Sequence, residues 1–461
     1  MWRHFVPAVG LRAALRLPGA ARSCIDRDGS RMNASTEPGA AEAAITSRRR
    51  GIRASALNLA ARVVGGAGAF ALAILTTRVL DTHGRGAYVI LTTAAGIAVG
   101  VLGAPMPVML ADLMHRRRTE AELRGGLIAI GTLAGVALAV VATAGKIAGF
   151  GLPGPVSVQI MTALATGVVI FVSCEMSLAQ ATGRVTAVGL GEIGLATLPL
   201  LVSAGVVALE RDSLASLIAA WLVGVTAAAA FQLWFAYRRN AIGGVALAVV
   251  VEWIWRARGI AFSNGMLRLC ARIDVLIVSA VLSVSAAGIY SIPVALAANL
   301  LLVPRALLTV TYRSIMAAPR EEIARRAART TSGSAALVLA GGLVGVPLTA
   351  AFAGDVFGGA YSDIWRPLAV LVPGVAAWSV VEVLRHVLLT RLERQREVLF
   401  TAIGMAIANG VLAVIGSSEF GYVGAAASTT ITYVAAALWM ARACAIQLGI
   451  PFRQIFLPSR T

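Results

Sequence analysis

From Ala54 onward the chain alternates long apolar runs with short polar breaks, and this one pattern leaves few folds open. A bilayer offers no water to backbone N–H and C=O groups, so a run of about 20 apolar residues crosses it as a helix that satisfies its own backbone. Twelve such runs are legible, at 55–79, 86–111, 125–146, 154–180, 185–209, 213–237, 257–283, 286–312, 332–353, 364–390, 398–416 and 421–445. The expected fold is therefore an all-α polytopic membrane protein with about twelve transmembrane helices. Composition agrees, since 58% of the 461 residues are hydrophobic and 13% charged, roughly half the charged share of a soluble domain. The spans and their loops consume the chain after residue 53, which leaves no room for a soluble enzyme domain.

Residues 1–53 read as a disordered basic cytoplasmic tail, with arginines such as Arg48, Arg49, Arg50 and Arg53 set among Gly, Pro, Ser and Ala,. A secretory signal is not expected, because Arg12 and Arg16 interrupt the apolar stretch Leu11 to Leu17,. Met1 and Met32 both qualify as starts. The net charge of +18 rests almost wholly on arginine, Lys146 being the one lysine. That bias is compositional, and no nucleic-acid partner is expected.

Orientation follows from where the basic residues fall, since arginines flanking a span are retained on the cytoplasmic side. With the tail inside, the inner loops hold Arg116, Arg117, Arg118 and Arg124, then Arg238, Arg239, Arg256 and Arg258, then Arg313, Arg320, Arg325, Arg326 and Arg329. The outer loops hold Arg78, Arg85, Lys146, Arg211 and Arg366. A missed or extra span would swap sides and destroy the contrast, so both termini are expected in the cytoplasm of a multi-pass protein of the cell membrane.

Catalysis is not expected. The longest outer loop, Phe352 to Ile364, cannot form a domain, the 22 acidic residues are scattered, and the four histidines form no metal or nucleophile constellation,. The four cysteines, Cys24, Cys174, Cys270 and Cys444, lie far apart and read as packing residues. This is the profile of a carrier rather than an enzyme.

Carriers are often built from repeated bundles that rock about a midplane site. Here Gly86-Ala87-Tyr88 opens the second span and Gly288-Ile289-Tyr290 opens the eighth, a shift of 202 residues. Two six-helix lobes follow, an N-lobe at 54–237 and a C-lobe at 257–447, with a cytoplasmic tail at 448–461. The linker 238–256 carries the apolar run Ala246 to Val251 with Trp253 and Trp255. It reads as an interfacial helix with its tryptophans at headgroup depth.

Gly86-Ala87-Tyr88, Gln180-Ala181-Thr182-Gly183-Arg184, Arg272-Ile273-Asp274 and Gly288-Ile289-Tyr290, taken in that order and spacing, resemble the polysaccharide transporter family. This is the family of O-antigen-flippase-like carriers of lipid-linked oligosaccharides, within the multidrug/oligosaccharidyl-lipid/polysaccharide exporter superfamily. The resemblance covers residues 53 to about 450. It implies transport of a polyprenyl-pyrophosphate-linked oligosaccharide, a cell-surface polysaccharide precursor, from inner to outer leaflet by alternating access. Its partners would be the lipid-linked glycan, membrane lipids, glycosyltransferases and a polysaccharide polymerase. A cation-coupled multidrug-type exporter and a peptidoglycan lipid-precursor flippase remain as alternatives on the same scaffold.

Ionisable groups inside spans are costly and therefore functional candidates. Asn264, Arg268 and Arg272 fall four residues apart in span 7 and would share one face of a continuous helix, a basic lane for a pyrophosphate,. The plainer reading is that Arg268 snorkels to the headgroups and Arg272 pairs with a carboxylate. Arg62 matches Asn264 by the half-repeat shift. Arg305 stands beside Pro304, where a kink would free a carbonyl. Arg385 reads as a structural cluster with Glu382 and His386. Asp274 would lie about 160° round a helix from Arg272, so it needs another partner: an arginine elsewhere, a coupling cation or a proton. Glu175 and Glu192 are a second polar patch or packing partners of arginines. No cofactor or metal is expected beyond that coupling ion. Pro105, Pro107, Pro367 and Pro373 are expected kinks, and Gly65 to Gly68, Gly96/Gly100 and Gly131/Gly135 are expected sites of close helix approach.

Overall fold

The computed structural model describes residues 60–103, 119–149, 152–182, 184–237, 243 and 247–456. The tail 1–53, Pro105, Pro107 and Arg116 to Arg118 lie outside them, as do the side chains of 256–261 and 264. The helices are α1 (Ala60–Val79), α2 (Thr82–Leu102), α3 (Glu120–Ile147), α4 (Val156–Ala181), α5 (Val185–Ala208), α6 (Leu214–Tyr237), α7 (Leu247–Cys270), α8 (Ile273–Val281), α9 (Val284–Asn299), α10 (Leu302–Ala317), α11 (Arg320–Phe357), α12 (Trp365–His386) and α13 (Gln395–Leu448). No strand occurs among the described residues. Ten helical runs are each long and apolar enough to cross a membrane. One of them, α13, holds two spans, and the broken pair α7–α8 supplies the last, which gives the twelve expected.

The helix α13 shows how the sequence makes two spans from one run. Its 54 residues would extend about 80 Å if straight, far beyond a hydrocarbon core of about 30 Å. Gly421 adopts φ 60°, ψ −147° and reverses the chain, a conformation that needs the missing Cβ. The arms then pack directly. Ser428 Oγ donates to the Leu412 carbonyl at 2.6 Å, although 16 residues of continuous helix would separate them by about 24 Å.

Span 7 departs from expectation. It is not one helix over 257–283: α7 starts within the expected linker, at Leu247, ends at Cys270, and α8 resumes at Ile273. Arg272, at φ −141°, ψ −8°, sits in the joint. The continuous stripe Asn264–Arg268–Arg272 is thus interrupted, and the angle expected between Arg272 and Asp274 no longer applies. Trp253 also differs. It is buried against the spot where a Cβ on Gly126 of α3 would stand, so it anchors the linker helix to the N-lobe core, whereas Trp255 is exposed.

Span 8 breaks at Leu300–Leu301, whose N–H groups turn back to the Ala297 and Ala298 carbonyls. Pro304 then falls in the first turn of α10, where its missing donor costs nothing. Likewise Pro367 lies in the first turn of α12 and makes no kink, while Pro373 is inside that helix. The helix α11 runs well past its expected start and carries the basic segment from Arg320 on its own axis. Beyond α12 a π-helical turn spans Val387–Arg391.

Small residues set the close approaches. Gly131 and Gly135 of α3 meet Gly167 of α4 backbone to backbone, and Gly68 of α1 meets the Ala196 carbonyl of α5. Gly96 has nothing nearby.

Candidate functional site

The half-repeat read from the sequence becomes a physical contact between lobes. Asp81 and Ser283, 202 residues apart, both cap their helices, accepting from Gly84 N and Ala286 N,. Past these caps α2 and α9 cross at Gly86 and Gly288. A Cβ on Gly86 would lie 1.8 Å from the Val284 carbonyl oxygen, and one on Gly288 would lie 2.5 Å from that of Thr82. Thr82 and Val284 are themselves repeat mates, so the contact has two-fold character. The relation continues along the interface: Gly66 of α1 abuts Leu302 of α10, and Gly100 of α2 abuts Arg268 of α7. The pair 66/268 and the pair 100/302 are each 202 apart.

At the end where α2 and α9 begin, the lobes are also closed by other groups. Arg78 Nε donates to the Val356 carbonyl at 2.9 Å, a cation placed at the C-terminal end of α11. Phe70 meets Phe357 edge to face at 5.8 Å. Ala73 of α1 joins Ile292, Ala353, Phe357, Tyr361 and Ile364 in one apolar cluster. Arg85, counted above as an outer-loop charge, is buried beside Thr76 and over the Tyr88 ring.

Farther along the same interface lies the basic group. Arg268 and Arg272 are exposed, and Arg268 is within electrostatic reach of Arg272, Arg305, Arg385 and Glu382. Its stem packs on Gly100 of the opposite lobe, so the charge sits at the contact between lobes. Glu382 is the carboxylate of this group. Arg305 Nε reaches both its oxygens at 3.1 and 3.2 Å, Arg305 Nη2 reaches Oε1 at 2.8 Å, and Trp378 Nε1 donates to Oε1 at 3.1 Å. Glu382 therefore has Arg305 as its fork partner in addition to the expected neighbours Arg385 and His386. Nothing in the local sequence signals a partner 77 residues away.

Asp274 lies in the first turn of α8, just past the joint, in its own hydrogen-bond network. It is buried and accepts from Tyr290 Oη at 2.8 Å, Thr429 Oγ1 at 3.1 Å and Val275 N at 2.9 Å. Asn409 completes it, donating to the Cys270 carbonyl that the helix break leaves free, at 2.9 Å, while Thr429 also reaches Asn409 Oδ1. In the sequence Asp274 stands out by its cost inside a span and Tyr290 as a repeat position, whereas Asn409 and Thr429 carry no such signal.

The other candidates are placed apart from the basic group. Glu175 forms a buried ion pair with Arg124 at 2.8 Å, and Arg124 and Arg184 both reach Glu120. Arg124 was counted as a loop charge, yet its side chain is 2% exposed. Arg62 of α1 is an electrostatic neighbour of Glu192 of α5, and Glu192 Oε2 is buried without a hydrogen-bond partner. Asn264 lies on α7, its side chain outside the described ones.

These features define an all-α polytopic membrane protein in which helices related by the 202-residue repeat meet one another. No family model matches the sequence, and no curated protein matches it significantly. Solved structures share the fold. An inward-facing multidrug-resistance MATE-family transporter of the MOP superfamily aligns with TM-score 0.66 at 12% identity, covering 85% of this chain and 98% of its own. The lipid II flippase MurJ, in an inward closed conformation, aligns with TM-score 0.67 at 11% identity, covering 88% and 89%. An outward-facing MATE transporter aligns less closely, at 0.59 and 13% identity, covering 86% and 95%.

Proposed function

We propose that this chain is a flippase of the cell membrane that moves a polyprenyl-pyrophosphate-linked oligosaccharide from the inner to the outer leaflet. The observation that carries the reading is the gathering of Arg272, Arg305, Arg385 and the carboxylate of Glu382 about Arg268, whose stem packs on Gly100. Guanidinium forks bind phosphate oxygens in pairs, and an excess of such groups inside a membrane is tolerated only where water or an anionic ligand meets them. The seam at Gly86/Gly288 with the Arg78–Val356 contact would be the outer gate of an alternating-access cycle. Glycosyltransferases and a polysaccharide polymerase would act before and after such a carrier.

Asp274 supports coupling to a cation or proton, because a buried carboxylate is held there by two hydroxyls and a backbone N–H, with Arg272 only an electrostatic neighbour. The same observation favours the second reading, a cation-coupled small-molecule exporter. The MurJ likeness keeps a peptidoglycan lipid precursor as a third candidate cargo. Reconstitution separates them: purified protein in vesicles is given a fluorescent polyprenyl-pyrophosphate glycan, and outward movement is read by quencher access. Arg272→Ala is expected to abolish movement while the protein stays inserted and stable, with Arg272→Lys rescuing only in part, since an ammonium lacks the paired fork. Normal movement by Arg272→Ala refutes the basic-lane reading; lowered abundance alone makes Arg272 a packing residue.

A further inference from the structure

An arginine cluster open to a membrane faces a competitor far more abundant than any cargo. An anionic phospholipid such as phosphatidylglycerol presents a phosphodiester with one negative charge, and its oxygens suit guanidinium as well as those of a pyrophosphate do. A carrier built only from arginines would be filled by such lipids. Specificity against an abundant rival usually needs an element that works against the rival.

Glu382 has the geometry for this. Its side chain is 16% exposed and that of Arg305 is 38% exposed, so the guanidinium is the more accessible member of the pair. Three contacts from Arg305 and one from Trp378 hold the carboxylate at rest. A singly charged phosphodiester that took its place would exchange one anion for another and gain little. A pyrophosphate diester, with two charges, would replace the carboxylate and still have charge for Arg268, Arg272 and Arg385.

We propose that Glu382 is the resident counter-anion of the arginine cluster and a specificity-determining residue: it holds the Arg305 fork against singly charged phospholipids and yields it to a pyrophosphate-linked lipid. This rests on the reading of the cargo as a polyprenyl pyrophosphate. Glu382 acts through Arg305 and is a positioning residue.

The test uses full-length protein in nanodiscs of phosphatidylcholine, with or without an equal share of phosphatidylglycerol, and farnesyl pyrophosphate as probe. In the wild type, phosphatidylglycerol is expected to change the apparent Kd by less than about twofold. In Glu382→Gln it is expected to weaken binding by about tenfold or more, because the vacated fork accepts the lipid phosphate. Glu382→Asp keeps the charge and is expected to stay within about threefold of the wild type. Equal resistance in wild type and Glu382→Gln overturns the role of Glu382 and leaves the cargo reading standing. Competition by phosphatidylglycerol in the wild type overturns it too, as does an Asp variant as permissive as Gln. A wild type that binds the probe in neither nanodisc removes the cargo reading and this inference together. Should Glu382→Gln fail to insert, Trp378→Phe carries the test: it frees Oε1 from its indole donor, and a drop in discrimination of about threefold is expected, with none overturning the proposal.

Discussion

Replacing Gly86 by alanine tests whether the repeat-related seam is the moving contact of the protein. The added methyl would stand 1.8 Å from the Val284 carbonyl oxygen, 2.6 Å from the carbonyl carbon and 2.9 Å from Val284 Cγ1. The nearest of these is backbone in the first turn of α9, so it cannot rotate away. An ordinary carbon–oxygen contact is about 3.3 Å or more, and the helices must therefore part by more than 1 Å. Overpacking of this kind costs about 1–3 kcal/mol. If the cost falls only on the closed seam, the balance between closed and open states shifts by about 5- to 150-fold. Spin labels at His83 and Asp363, both exposed at that end, report it by pulsed EPR as population moving from a short to a longer distance. Gly288→Ala should act in the same direction, its methyl meeting Thr82 O at 2.5 Å and Gly86 N at 2.9 Å. Gly96→Ala is the control, with no atom within 4 Å and a helix-propensity gain of up to about 1 kcal/mol. Distance distributions and melting temperatures unchanged in Gly86→Ala would refute the seam.

Arg124→Ala strands the carboxylate of Glu175, 5% exposed, and is expected to destabilise the N-lobe by about 3–5 kcal/mol, read as lost membrane abundance and a lower melting temperature in detergent; wild-type values would show the pair to be dispensable. Breaking the half-exposed Arg184–Glu120 pair should cost no more than about 1 kcal/mol in the same assays. Asp274→Ala deprives Tyr290 and Thr429 of their acceptor and is expected to abolish dependence of transport on an ion gradient while farnesyl pyrophosphate binding persists; retained gradient dependence removes Asp274 from coupling. Reporters fused after residues 120, 240, 320 and 395 should read cytoplasmic and those after 83, 211 and 358 external, and an external signal at 240 breaks the two-lobe arrangement.

Much of the fold was legible because lipid imposes a length and a composition on each span, and because the repeat marks Gly86 and Gly288 were visible in the sequence. What hydropathy cannot register is where a span breaks. Nothing in Leu269-Cys270-Ala271-Arg272 lowers hydropathy enough to end a helix, and the break is supported from elsewhere, by Asn409 binding the freed Cys270 carbonyl. The burial of Arg124 and Arg85 is invisible in the sequence for a related reason. Position in a loop-proximal turn says nothing about burial once a partner such as Glu175 comes from another helix. At the site, Arg268, Arg272 and Arg305 were singled out by cost alone, and the structure brings them near one another. Glu175, Glu192 and Arg62 stand out on the same ground, but Glu175 pairs with Arg124 and Arg62 is an electrostatic neighbour of Glu192, away from that group.

The charges are arranged differently in the two expected lobes around the joint of span 7. N-lobe carboxylates are matched to N-lobe arginines, Glu175 to Arg124 and Glu192 beside Arg62, which suits a body that moves as a unit. In the C-lobe the basic group and the Asp274 network are separated only by the joint of span 7. Arg272 is the residue that starts α8, Asp274 lies in its first turn, and the carbonyl before the joint is held by Asn409, which also meets Thr429. An ion or proton that draws Asp274, Thr429 and Asn409 closer would pull on both sides of the joint at once. At the joint Ala271 N still bonds the Leu267 carbonyl and Arg272 N the Leu269 carbonyl, while the Cys270 carbonyl is held by Asn409, so the end of the ladder falls at Arg272. A continuous helix at this place would carry Arg268 and Arg272 as one rigid stripe and could not separate them. The break leaves Arg272 free of the helix that packs Arg268 on Gly100, and under the proposed function that would be the mechanical condition for a coupling ion to loosen a bound pyrophosphate without dismantling the site.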